Sequence, residues 1–257
     1  MQAAKAAGEE PPMTDHPRRS PPVLQGQMSD SLLTAAFIVL SGGFQDAYTY
    51  CVRGGVFANA QTGNIVLLSA HLFHGEWAAS LRYVIPLLSF LLGVITAESI
   101  RFHGKTAKTL HWRQVILLTE AVLLLTVGFM PERWNLAANA LVSYVCAMQV
   151  QAFHTVRGHA YASTMCIGNM RSGAEALYAY FRCRDPRVRQ KAGVYFTVIL
   201  LFALGAGAGC LTAGRLGVRA VWVCCPLLLI SFLLMFLRER KPRFSGDPCT
   251  GDSPKKS

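Results

Sequence analysis

Two stretches of this chain bring polar side chains into otherwise apolar sequence. In the first, Gln45 and Asp46 are followed by Asn59, Thr62, Gly63 and Asn64. In the second, Gln149 and Gln151 are followed by Gly168, Asn169, Arg171 and Glu175. Such side chains suit hydrogen-bonded passage of a polar species more than bond-making. Asp46, a carboxylate within an apolar run, reads as a proton or cation site. The alternative is an acceptor that caps a turn or pairs with Arg53. The glutamines lie at matching places in two apolar runs, where they either line a pathway or bond helices together. Asn59, Thr62, Asn64 and Asn169 either contact a solute or cap helices and satisfy backbone groups. Arg171 and Glu175 are four apart, share a helix face and can pair.

Nothing in the sequence assembles a catalytic centre. There is no Walker A loop, HExxH, GxSxG or dinucleotide fingerprint. The expectation is a protein that is not an enzyme and carries no cofactor. His71 and His74 with Glu76 amount to half a metal site, so no metal is expected either. Eight cysteines, none in a CxxC pair, read as small packing residues and not as a zinc site or disulfide framework.

The elements that hold these residues follow from composition. The 257 residues are 52% hydrophobic and 15% charged, with a mean hydropathy of +0.33. A soluble domain carries about a quarter charged residues. Apolar runs cover 31–52, 81–100, 115–130, 136–156, 192–213 and 218–237. Several have about the 20 residues that cross a hydrocarbon core of roughly 30 Å. Buried helices of a soluble protein would keep charged faces, and these runs do not. The net charge of +11 sits in clusters between the runs. One is Arg101, Lys105, Lys108 and Arg113. The next is Arg182, Arg184, Arg187, Arg189 and Lys191, and the last is Arg238, Arg240, Lys241 and Arg243. Clusters of this kind set topology and meet anionic lipid head groups; no aromatic-interleaved face suggests nucleic acid. Residues 1–28 show no signal-peptide pattern and read as a disordered tail, as do residues 239–257. A single membrane domain, 29–238, lies between them.

That domain repeats itself. Val52-Arg53-Gly54 recurs as Val156-Arg157-Gly158, and Gln45 as Gln149, at an offset of 104. Gly63-Asn64 recurs as Gly168-Asn169 at 105, and "FLLG" at 90–93 as "FALG" at 202–205 at 112. Repeat one is about 31–131 and repeat two about 136–238. Six spans place every basic cluster on the side of the N-terminus, and the two three-span halves are then inverted. Eight spans, with parallel four-span halves, are the alternative. With six spans the GN segments are re-entrant or broken. Gly63 would permit a tight turn, and residues 64–73 would return as a half-helix of about 15 Å. Thr62 or Asn64 would cap it, and its N-terminus would favour an anion or a polar neutral molecule. Glu98 and Glu120 are expected to pair with the 101–113 cluster. Arg53 and Arg157 are expected to bind carbonyls at the end of the preceding helix. The small residues of "GAGAG" at 205–209 predict close helix contact.

"SGGFQDAYTY" followed by "VFANAQTGNIVLLSAHL" resembles the YoaK-like family of bacterial multi-pass inner-membrane proteins, a family of unknown function. The matching residues are Gly43, Phe44, Asp46, Ala47, Phe57, Asn59, Thr62, Gly63 and Asn64. The resemblance runs over most of 31–238. In the second half Ile167 replaces the motif's threonine. The resemblance implies a multi-pass protein of the bacterial plasma membrane and supplies no activity. Together these readings predict an all-α, polytopic helical bundle with both termini cytoplasmic. It would be a small secondary transporter or channel for a small polar or anionic solute, and a homo-oligomer is compatible with it. The alternative is a non-transporting scaffold or assembly protein with structural GN turns.

Overall fold

The computed structural model describes residues 32–103, 111–156, 159–160 and 166–236. Both tails, Lys105, Lys108, Arg157 and the cluster from Arg238 to Arg243 fall outside the described residues. Among the described residues eight α-helices follow one another: α1 (Leu32–Val52), α2 (Gln61–Phe73), α3 (Trp77–His103), α4 (Trp112–Val127), α5 (Asn135–Ala152), α6 (Cys166–Cys183), α7 (Pro186–Leu216) and α8 (Cys224–Leu234). Thr155–Val156 and His159–Ala160 form a two-residue antiparallel pairing. The class is all-α, as expected.

Local chemistry explains several boundaries. His111 caps α4: its ring accepts the Arg113 N–H, and the Gln114 side chain reaches back to the His111 N–H. Asp185 caps α7 through the Arg187 N–H at 2.8 Å, with Pro186 in the first position. The apolar run 218–237 is not one helix. Gly217 adopts φ 55° and reverses the chain. A 3-10 stretch, Gly217–Val223, follows before α8 begins.

Contacts fix how the helices run. Ala35 packs with Val194 and Val198, Leu40 lies on Gly205, and Phe44 lies on Gly209. α1 and α7 are therefore parallel. A Cβ at Gly43 would strike the Phe202 carbonyl, and one at Gly205 the Leu40 carbonyl. The expected close contact of the 205–209 run is present, and α1 is its partner. α3 and α5 are parallel in the same way, with Gly93 on the Tyr144 carbonyl and Glu98 bonded to Gln151. α1 and α5, in contrast, are antiparallel: Arg53 meets Asn139, Gln45 meets Cys146, and Ile38 meets Gln149. α4 and α8 are also antiparallel, through Leu125 with Trp222 and Ala121 with Cys225. The core lies where α1, α4, α5 and α8 meet, around Ile38, Phe44, Tyr48, Leu117, Leu124, Met148 and Leu228.

Two helical stretches, Trp77–His103 and Pro186–Leu234, are long and apolar enough to cross a membrane. Their most apolar windows are only 22% and 28% buried within the protein. Leu88, Leu91, Leu92 and Ile95 of α3 and Leu200, Leu204 and Leu211 of α7 all face outward. α4 has 16 residues and α1 interrupts its apolar run with Ser41, Gln45 and Asp46, so neither has the same uniform apolarity.

Candidate functional site

After α1 the chain turns back on itself. Gly54 and Gly55 take φ of 89° and 76°, open only to residues without a Cβ penalty. The chain then returns along α1. The Asn59 N–H donates to Asp46 Oδ1 at 2.7 Å, and Asn59 Nδ2 donates to the Gly42 carbonyl at 3.2 Å. Gly42 is at the middle of α1, so the turn reaches mid-depth before α2 begins. α2 then leads back to the end where α1 finished. There the His71 ring stacks on Tyr83 of α3 and bonds Glu76.

The turn is held by amides, though not as caps. Ala60 is the N-cap of α2 and makes no side-chain bond, and Thr62 is exposed. Asn64 accepts the Phe57 N–H at 3.0 Å and donates to the Phe57 carbonyl at 2.7 Å and to Gln61 Oε1 at 2.9 Å. It clamps a peptide seven residues upstream, which corrects the expectation of Thr62 or Asn64 as a cap. Asp46 takes a turn N–H instead. Gly63 is helical and makes no turn; its missing side chain admits the Phe57 ring, whose Cδ2 would lie 3.0 Å from a Cβ. The turning glycines are Gly54 and Gly55.

Behind the turn lies a buried polar cluster. Gln45 Nε2 donates to Glu120 Oε1 at 2.8 Å and to Ser41 Oγ at 2.9 Å. The Cys146 thiol donates to Gln45 Oε1 at 2.9 Å. Gln149 Nε2 donates to the Ile38 carbonyl at 3.2 Å. Both glutamines are fully buried and tie α1 to its neighbours, the second of the two expected roles. Glu120 does not pair with the 101–113 cluster. The helix starts at Trp112, which puts Glu120 at its centre, with no exposed surface. Several buried atoms of this region have no partner: Asn59 Oδ1, Glu120 Oε2, Asn139 Oδ1, Ser143 Oγ and Gln149 Oε1.

Arg53 forms the wall at the C-terminal end of α1. It is 1% exposed and donates to the Tyr48 hydroxyl at 2.7 Å, the Val127 carbonyl at 2.8 Å and Asn135 Oδ1 at 3.1 Å. It therefore serves the end of α4 and not the end of its own helix, and it leaves Asp46 alone. A cavity of about 400 Å³ opens beside it, lined among others by Val56, Ala78, Arg82, Asn135 and Asn139.

Of the second stretch, the described residues begin at Cys166: Asn169 is 2% exposed, no described residue lies within 4 Å of a Cβ at Gly168, and Ile167 is 81% exposed. Arg171 and Glu175 do pair, at 2.9 Å, on an exposed helix face. Gln151 bonds Glu98, which also pairs with Arg101 at 2.8 Å as expected. The structure thus unites Gln45, Asp46 and Asn59, attaches Asn64 through the turn, and leaves Gln151, Arg171 and Glu175 elsewhere. Ser41, Asn139, Ser143 and Cys146 were not singled out in the sequence. Their signal, Asn139, Ser143 and Cys146 at helical spacing in an apolar run, was present.

The model of a family described as a protein of unknown function, DUF1275, matches residues 34–234. The chain belongs to this family. In this DUF1275 protein the match begins in the first turn of α1 and ends with the last residue of α8, so it takes in the turn, the polar cluster and the cavity. No curated protein and no solved structure matches the chain.

Proposed function

We propose that this chain is a six-span protein of the bacterial plasma membrane with inverted halves, acting as a small secondary transporter or channel for a small polar or anionic solute. The observation that carries this reading is the re-entrant turn. It brings Asn59 to the middle of α1 and starts a half-helix there. Irregular backbone at that depth is tolerated where it is buried in protein or lines a wet cavity, and half-helices of this kind hold substrates in transporters. The inverted duplication draws on helix direction. α1 and α5 are copies at the 104 offset yet run antiparallel, which copies of equal orientation would not do. Gly93 on Tyr144 and Gly205 on Leu40 are the same contact in the two halves, under the offsets of 112 and 104. Arg113 packs over Phe153 at the end of α5, the end to which α3 brings Arg101. The start of α7, with Arg187, Arg189 and Lys191, lies beside the start of α1 at that same end. That end is the cytoplasmic one by the excess of basic residues, and it meets anionic head groups. Outward-facing leucines on α3 and α7 meet lipid tails.

Side-specific thiol labelling tests the topology. In a cysteine-free background, Ala78→Cys is expected to label from outside and Arg187→Cys from inside. Labelling of both from inside means eight crossings and parallel halves. For function, Asn64→Ala and Asn169→Ala are expected to lower transport per folded molecule, over and above any loss of folded yield. A non-transporting scaffold is the second reading, favoured by the two-handed bond of Asn64 to the Phe57 peptide. Under it, the same changes lower only the folded yield.

A further inference from the structure

The polar groups of α5 continue beyond the cluster. Asn139, Ser143 and Cys146 are spaced four and three apart, so they stand on one face, one turn after another. Asn139 lines the open cavity beside Arg53. Ser143 is fully buried, and its hydroxyl has no partner. Cys146 donates to Gln45, and Gln45 donates to Glu120. Asn139 Oδ1, Ser143 Oγ and Glu120 Oε2 are three buried oxygens without partners. Buried polar atoms are satisfied by protein or by water. The axial steps of about 6 Å and 4.5 Å between the three α5 residues are the spans that single waters bridge.

We propose that Glu120 holds an exchangeable proton, and that the Asn139–Ser143–Cys146 face of α5 is its route to the cavity beside Arg53. The step is a simple transfer. The Oε2–H bond breaks, the proton passes to a water held by Ser143, and a carboxylate remains, bonded by Gln45. The reverse step restores the acid. The titratable groups facing Glu120 are Cys146 of α5 and Cys224 and Cys225 of α8. Asp46 of α1 approaches Cys146 from the turn, and Arg53 with Tyr48 stands at the outer mouth. Glu120 has no ion-pair partner among the described residues. A single proton fits what is left open, whereas a metal ion would need more ligands. As a coupling site, this proposal rests on the transporter reading. As a proton site, it does not.

Infrared spectroscopy of the purified full chain tests it, with deuterium oxide as the probe. A carboxylic-acid carbonyl band that shifts on deuteration is expected, and Glu120→Gln is expected to remove it. Ser143→Val and Ser143→Thr have nearly the same shape and differ by the hydroxyl. Valine is expected to slow the deuteration of the band roughly tenfold, the loss of one hydrogen-bonding link, while threonine stays near wild type. Equal thermal midpoints for the two variants separate this from misfolding. The proposal fails if Glu120→Gln removes no exchanging band, or if valine exchanges as fast as threonine. Proteoliposomes with an internal pH-sensitive dye read the other claim. An exchanging Glu120 band without protein-dependent proton flux overturns the coupling role and keeps the proton site.

Discussion

The two GN segments have the same motif core and different surroundings. In the first, Asn59 is fixed to Asp46 and Gly42, Asn64 holds the Phe57 peptide with both ends of its amide, and Gly63 lies against an aromatic ring. In the second, no described residue lies within 4 Å of a Cβ at Gly168, Asn169 is buried, and the charges of α6 pair with each other on the surface. The position matching Asp46 in the second half is Val150. A motif of two residues therefore carries little of the architecture by itself. The carboxylate on the preceding helix, which fixes Asn59 in the first segment and has Val150 in its place in the second, is the difference that the sequence carries.

Breaking the first turn gives the largest effect. Asp46→Ala leaves the buried Asn59 N–H unpaired, a loss of about 1–3 kcal/mol, seen as a lowered thermal midpoint in detergent. Asn64→Ala frees both groups of the Phe57 peptide and is expected to cost about 1–2 kcal/mol in the same assay. An unchanged midpoint in either variant would erase the contrast between the two turns. Next comes a glycine pair. Gly63→Ala presses on the Phe57 ring and is expected to lower the midpoint. Gly168→Ala meets open space within a helix and is expected to raise it by up to about 1 kcal/mol, the helix preference of alanine over glycine. A loss at Gly168 would show that a neighbour packs on that position. The smallest effect belongs to Arg171→Ala, which breaks an exposed pair and is expected to stay within about 0.5 kcal/mol.

Much of the arrangement was readable in the sequence, because apolar runs and polar interruptions report directly on burial. The polarity of "ANAQTGN" announced a break between helices, and the pairing of Arg171 with Glu175 followed from spacing. Glu120 was misplaced because the apolar run was counted from 115, while the His111 capping box starts the helix at Trp112. Three residues shifted the carboxylate from an end to a centre. The partner of Asn64 was not legible. A side-chain amide can satisfy a cap, a solute or a distant peptide with the same atoms, and only the path of the chain through Gly54 and Gly55 decides. The parallel pairing of α1 with α7 was equally hidden, since "GAGAG" offers a smooth surface without saying to whom.

That pairing also has a consequence for synthesis. α1 packs its glycine face on α7, and α7 leaves the ribosome more than a hundred residues later. At about 5–20 residues per second the delay is on the order of ten seconds. During that time α1, with Gln45 and Asp46, and the clamped turn behind it lack their α7 neighbour, and for the earlier part of it their α5 neighbour as well. The polar residues of α1 therefore wait for partners made late in the chain, and the first part of the protein cannot complete its packing before the second is made.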